Sequence, residues 1–285
     1  MLKTRVATAL ALLAVFLPVL FLGPIWSLYI LISVVVGCAS WEWARILWPN
    51  QKFFHVSYAA IIVLMLYGLW FISIDEAYIE VFFVAKLIFL ILSFVFWLTV
   101  APMALRQGLH LNLQKWRSPL TLAGFLVFPA CWLAIVILRD LGLWVLLTVF
   151  IWVWAADIGA YFAGRKFGKK KLASTISPGK TIEGMVGGLV LVVIVAIVSV
   201  YQGTLDSNYF DWIYERLSWG GLVVIALAGG LLSVMGDLFE SLLKRKAGVK
   251  DSSHLLPGHG GFLDRIDALL PVLPFAAIIV LVLSN

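Results

Sequence analysis

The sequence predicts an all-α fold: a polytopic integral membrane helical bundle of about nine transmembrane helices with the N-terminus in the cytoplasm. Three observations carry this. Of the 285 residues, 63% are apolar and only 13% charged. The mean hydropathy of +1.04 lies far outside the soluble range. The apolar residues also fall into runs long enough, or nearly so, to cross roughly 30 Å of hydrocarbon.

Those runs cover residues 6–22, 25–40, 56–74, 81–100, 120–138, 142–163, 184–201, 219–238 and 262–283. Only Gly23 and Pro24 separate the first two, which leaves a hairpin or a single broken helix open there, and a total of eight spans with it. The opening MLKTRV followed by an apolar run resembles a signal peptide, but no small-residue cleavage site follows, so a retained first span is expected. Basic residues accumulate in loops that stay in the cytoplasm. With the N-terminus inside, these loops hold Lys3, Arg5, Arg45, Lys52, Arg106, Lys115, Arg117, the six from Arg165 to Lys180 and the five from Lys244 to Arg265, which is 18 of 21. Arg139 and Arg216 fall outside, Lys86 within a span, and the opposite loops carry Asp75, Glu76, Glu80, Asp140, Asp206, Asp211 and Glu215. The net charge of +6 is therefore mainly a topology signal, and it also favours anionic lipid headgroups. Cys38 and Cys131 lie in different spans without paired spacing and read as packing residues.

Residues 1–140 read as a scaffold or lipid-facing region. Residues 141–285, richer in Gly and intramembrane carboxylates, read as a catalytic region with cytoplasmic loops over 164–184 and 239–264. Ionisable groups beside lipid are costly and usually functional. The dense polar run SLLKRKAGVKDSSHLLPGHGGFLDRID, from Ser241 to Asp267, is where function is expected. Asp264 and Asp267 stand three residues apart at the start of the last predicted helix, which sends both carboxylates from one face, as a divalent cation requires. Before them PGHGG, with Gly258, His259, Gly260 and Gly261, suits either a tight turn or a backbone cradle for phosphate. Asp237, Ser241, Lys244 and Gly248 recur at helical spacing and form one stripe if the eighth span continues into the cytoplasm. Such a stripe, carboxylate at one end and Lys244-Arg245 at the other, suits a metal bound to phosphates.

A second constellation, SPGKTIEG, spans Ser177 to Gly184. Ser177, Lys180, Thr181 and Glu183 surround Pro178 and Gly179 where the next helix is expected to begin, a good place for triphosphate oxygens. It lacks the upstream glycine of a Walker loop. Asp157 is expected as a further buried carboxylate in the sixth span.

The run from Ser241 to Asp267 resembles the signature of the phosphatidate cytidylyltransferase (CDP-diacylglycerol synthase) family in its bacterial form. The resemblance rests on Ser241, Lys244-Arg245, Lys250-Asp251, His259-Gly260-Gly261, Asp264-Arg265 and Asp267 at the family's spacing, and extends to SPGKTIEG, Asp157 and Gly236-Asp237. It implies CTP plus phosphatidate giving CDP-diacylglycerol and pyrophosphate with Mg²⁺, one ion or two, at the cytoplasmic side of a bacterial inner membrane. It also implies a homodimer, for which Gly229-Gly230 or Gly184 with Gly188 would permit close helix contact. Membrane lipids are the expected surroundings, and no nucleic acid is expected as a partner. Under this resemblance Asp237, Asp264 and Asp267, with Asp157, hold metal. Lys244, Arg245, Lys250, Asp251, His259 and Arg265 act on the phosphates, and Ser177, Lys180, Thr181, Glu183, Ser241, Gly260 and Gly261 bind substrate. Polar or aromatic groups near Ser174, Ser252 and Ser253 are candidates for reading the base.

Three other classes fit less well. A secondary transporter also uses intramembrane carboxylates and broken helices, but has no need of Lys, Arg and Asp concentrated in one loop. A CTP-dependent polyprenol kinase would phosphorylate a lipid alcohol. The CDP-alcohol phosphotransferases resemble a paired-Asp pattern that this chain lacks.

Overall fold

Nearly every apolar run becomes a helix, because a backbone without water must bond within its own segment. The computed structural model describes residues 2–202 and 208–284; Asp206, expected in an outer loop, lies outside the described residues, as do the side chains of Lys3 and Arg5. The helices are α1 (Leu2–Phe21), α2 (Ile25–Leu47), α3 (Lys52–Ile74), α4 (Ile79–Leu98), α5 (Val100–Gln107), α6 (Leu113–Leu141), α7 (Leu143–Phe167), α8 (Ile182–Gln202), α9 (Tyr209–Lys246), α10 (Leu263–Ile266) and α11 (Leu269–Leu283). By length and composition, seven helical segments among the described residues are able to cross a membrane, α4 and α5 forming one of them; the apolar part of α1 and α11 are shorter. Gly23 and Pro24 separate α1 from α2, so the first two runs are two helices rather than one.

Helix α6 is the buried centre, packed against α2, α3, α4, α7 and α11. Aromatic side chains lock it in place. Trp43 of α2 meets Phe128 of α6 and Phe239 of α9, and its indole N–H donates to the Leu120 carbonyl at 3.1 Å. Trp152 of α7 packs on Tyr209, Phe210 and Phe275 and donates to the Ala226 carbonyl. Lys86, the lone basic residue expected in a span, lies with its ammonium 4.9 Å from the Phe82 ring centroid.

Two departures from the expected pattern matter for the site. Residues 171–181 form a small antiparallel hairpin of β1 (Lys171–Ala173) and β2 (Ser177–Thr181), with Lys171 opposite Thr181 and Ala173 opposite Ser177. The expected final helix is also in two parts, α10 and α11, parted at Asp267 and Ala268. The two connections expected over 164–184 and 239–264 are correspondingly shorter, because α7 runs to Phe167 and α9 to Lys246. Arg165 and Lys166, and Lys244 to Lys246, extend those last turns, where cations complement the helix dipole.

Helix α9 starts with a capping box: the Asn208 side chain accepts from the backbone N–H groups of Phe210 and Asp211. It then breaks at Ser218, at φ 56 and ψ −170, before the membrane-length stretch begins. The small residues of α7 and α8 let these helices touch backbone to backbone. A Cβ on Gly159 would lie 2.8 Å from the Gly187 carbonyl oxygen, and one on Gly184 2.9 Å from that of Ala160. The glycines expected to admit a partner chain are used in this way: Gly184 and Gly188 face α7, Gly229 faces Trp152, and Gly230 faces Leu189. Their close packing, among the described residues, is internal to the chain.

Candidate active site

The α7–α8 contact fixes one wall of a cleft of about 470 Å³, with α9 opposite and the β-hairpin across one end. Asp157, Tyr161 and Arg165 face it from α7, Lys180 and Thr181 from β2, and Asp237 from α9. Asp157 opens onto this space from within the span where it is expected. Lys180 and Asp237 form an ion pair that ties the hairpin to α9, and the Ser241 hydroxyl donates to Asp237 at 3.3 Å. The expected stripe on α9 thus holds from Asp237 through Ser241 to Lys244; Gly248, at φ 73, lies beyond the helix end.

Gly236 brings the last carboxylate in. A Cβ there would strike the Asp267 carbonyl oxygen and come within 2.9 Å of Pro271, so α9 passes directly against the junction of α10 and α11. Asp267 consequently lies close enough to Asp237 for the two to repel, with Lys180 and Lys244 offsetting part of that charge. Behind it, Lys244 Nζ is 2.5 Å from both Glu240 Oε2 and Asp264 Oδ1. Glu240 is 2% exposed, and apart from this ion pair its two oxygens accept no directed hydrogen bond.

Asp264 and Asp267 were expected to point from one face, but they enter different networks. Asp264 Oδ2 accepts from the Gly261 N–H at 2.7 Å, the Ser252 N–H at 2.9 Å and the Ser252 hydroxyl at 2.8 Å, while Asp267 Oδ1 accepts from the Ala268 N–H at 2.8 Å. Burial alone would raise the Asp264 pKa. The Lys244 ammonium, the Gly261 N–H and the Ser252 hydroxyl outweigh it and hold the carboxyl down at about 2, so it stays ionised.

The remaining residues fall around this centre. Arg245 reaches back from α9 to the Ile176 carbonyl at 3.2 Å and so supports the hairpin turn. Thr181 caps α8, its hydroxyl accepting from the Gly184 N–H at 3.1 Å. Glu183 staples the loop before the hairpin by accepting from the N–H groups of Lys169 and Lys170. Ser177 is half-buried in β2, and Lys250, Asp251 and Arg265 are exposed. His259 is half-buried, with Nδ1 enclosed and unpartnered. Gly258 and Gly260 take positive φ, 77 and 81, which builds the turn that returns the Gly260 carbonyl to the Leu256 N–H. Ser252 and Ser253 are buried and bonded to carboxylates, which leaves the exposed Ser174 as the base-reading candidate still open to solvent.

Sequence reasoning missed Glu240 and Glu42. The first had a readable signal, being four residues before Lys244 on a helix. The second had only its isolation: it is the single carboxylate in the first 74 residues.

Among the described residues, no three His, Cys, Asp or Glu side chains stand together in metal-ligating geometry. Mg²⁺ does not need such a cage, because it is usually held by one or two carboxylates together with water and substrate phosphates. The Asp157 and Asp237 carboxylates that line the cleft fit that mode of binding.

Residues 3–283 match the cytidylyltransferase family. The chain is 37% identical over 290 residues to a phosphatidate cytidylyltransferase of Pseudomonas aeruginosa, an alignment covering 98% of this chain and 97% of that one. It is 36% identical over 291 residues to a phosphatidate cytidylyltransferase of Haemophilus influenzae, covering 96% and 97%. With Lys180, Arg165 and two carboxylates lining a cleft between membrane helices, and similarity running through nearly its whole length, the chain belongs to the cytidylyltransferase family and is a nucleotidyltransferase.

Proposed function

We propose that this chain joins CTP to phosphatidate, forming CDP-diacylglycerol and releasing pyrophosphate, at the cytoplasmic boundary of a bacterial inner membrane. The observation that carries the reading is the cleft between α7, α8 and α9, where the Lys180–Asp237 pair stands beside Asp157 and Arg165. A phosphomonoester with a second pKa near 6 is already largely anionic at neutral pH, so the reaction asks for charge cancellation and alignment rather than a strong base.

An oxygen of the lipid phosphate attacks the α-phosphorus of CTP. The bond from that phosphorus to the bridging oxygen breaks, and pyrophosphate leaves with the electron pair. Lys180 and Arg165 neutralise the triphosphate, with Ser177, Thr181 and Glu183 shaping its approach. Lys244, Arg245, Lys250 and Arg265 balance charge on nucleophile and leaving group, while His259, Gly260 and Gly261 form the loop over them and Asp251 flanks it. Asp237, Asp264 and Asp267, with Asp157, are the groups that would hold Mg²⁺, one ion or two; the metal would supply charge stabilisation at the phosphates. Asp264 enters this role with Oδ2 held by the Gly261 and Ser252 N–H groups and the shared Ser252 hydroxyl, and with Oδ1 facing Lys244. The basic residues of the cytoplasmic loops support the inward orientation of the site. The helices of residues 1–140 serve as scaffold, and a homodimer remains part of the proposal on family resemblance.

The test is pyrophosphate release by the detergent-purified protein with CTP and Mg²⁺. Release that requires phosphatidate and stops with EDTA is expected; release from CTP regardless of lipid, or none from folded protein, overturns the reading.

A further inference from the structure

Glu42 sits in α2, within the region expected to be scaffold, and is 0% exposed. Both its oxygens serve the loop that leads to Asp264. Oε1 accepts from the Ser253 hydroxyl and from the Phe262 N–H at 3.1 Å; Oε2 accepts from the Ser252 hydroxyl at 3.0 Å and the Leu263 N–H at 2.6 Å. Three residues on, Arg45 donates to the Ser252 carbonyl at 2.7 Å. Among the described residues no cation pairs with Glu42 within ion-pair distance; its partners are the Phe262 and Leu263 N–H groups and the Ser253 hydroxyl, with the Ser252 hydroxyl shared with Asp264.

The same atoms touch Asp264. The Ser252 hydroxyl is 3.0 Å from Glu42 Oε2 and 2.8 Å from Asp264 Oδ2 and so stands between the two carboxylates, its single proton serving one of them at a time. A Cβ on Gly261 would strike both the Ser252 hydroxyl and Glu42 Oε1, so the backbone lies directly on this network and only glycine fits. The loop from Ser252 to Leu263 is thereby held at both ends by one side chain more than 200 positions earlier in sequence.

We propose that Glu42 is a positioning residue for nucleotidyl transfer: it fixes the 252–263 loop so that Asp264 is presented with Oδ2 held by that loop and Oδ1 turned to Lys244. This rests on the reading that Asp264 belongs to the reaction centre. Glu42 touches no reacting atom. Glu42→Gln discriminates sharply, because the new amide NH₂ must face either the Phe262 or the Leu263 N–H, donor against donor. The serine hydroxyls can reverse; a backbone N–H cannot.

The experiment compares purified wild type and Glu42→Gln by steady-state kinetics with CTP and phosphatidate and by hydrogen–deuterium exchange. The expected result is a kcat lower by about tenfold or more, a KM for CTP within roughly threefold, and faster exchange confined to residues 252–264. Ser253→Ala, a smaller change that removes one donor to Oε1, is expected to give the same pattern at about threefold and serves if Glu42→Gln does not fold. Unchanged kcat with a loosened loop, or a loss without any change in loop exchange, overturns the proposal. An inactive wild type would instead sink the cytidylyltransferase reading itself.

Discussion

Lys180 on the β-hairpin is ion-paired with Asp237 on α9, and this contact closes the cleft between two elements that lie 57 positions apart in sequence. The two side chains are 27% and 31% exposed, so the pair is worth only about 0–1 kcal/mol of stability. Its cost of removal should therefore appear in turnover. Lys180→Met is expected to lower kcat/KM by roughly a hundredfold or more while the detergent melting temperature moves by a few degrees at most. A melting shift large enough to account for the activity loss would contradict this.

Lys244 is expected to behave differently. It is the only cation in ion-pair contact with the buried Glu240 among the described residues, and removing one partner of a buried pair costs about 3–5 kcal/mol. Lys244→Met should therefore be poorly folded as well as inactive. Lys244→Met combined with Glu240→Gln should recover part of the thermal stability without recovering turnover, because Asp264 still lacks its ammonium partner. Equal instability of the single and double variants, read by size-exclusion chromatography and melting, would show that the ion pair is not the cause.

Gly236→Ala probes how close α9 lies to Asp267. The added methyl would strike the Asp267 carbonyl oxygen and sit 2.9 Å from Pro271, which forces α9 away from the α10–α11 junction. Overpacking of this kind costs about 1–3 kcal/mol. A substantial fall in kcat is expected as Asp237 and Asp267 separate, and wild-type turnover with unchanged melting would contradict the packing argument.

Much of the fold was legible because lipid imposes a simple rule: long apolar runs must be helices. The nine runs are helical nearly throughout, with breaks at Thr99 in the fourth and at Asp267 and Ala268 in the last, and Asp237, Ser241 and Lys244 do share a face of α9, as their spacing predicts. Other features were hidden because their determinants are not local. The hairpin over residues 171–181 is too short to leave a period, and it is held by Arg245 and Glu183 from other elements. Asp264 and Asp267 were placed on one face by spacing, but their partners are set by Ser252, Gly261 and Ala268, and spacing says nothing of that. The glycines of α8 and α9 read equally well as an interface between copies until Ala156, Ala160 and Trp152 appear against them. Glu42 was unreadable for the plainest reason: its partners lie some 210 residues away.

The central claim is that the α-phosphate of CTP passes to the lipid. Its most direct test supplies the purified protein with phosphatidate, Mg²⁺ and CTP labelled at either the α- or the γ-phosphate, then separates chloroform-soluble from aqueous label. The account predicts that α-label enters the lipid phase while γ-label stays in water as pyrophosphate. Label from the γ-phosphate in the lipid, or no lipid label at all from a folded and wild-type protein, would contradict it.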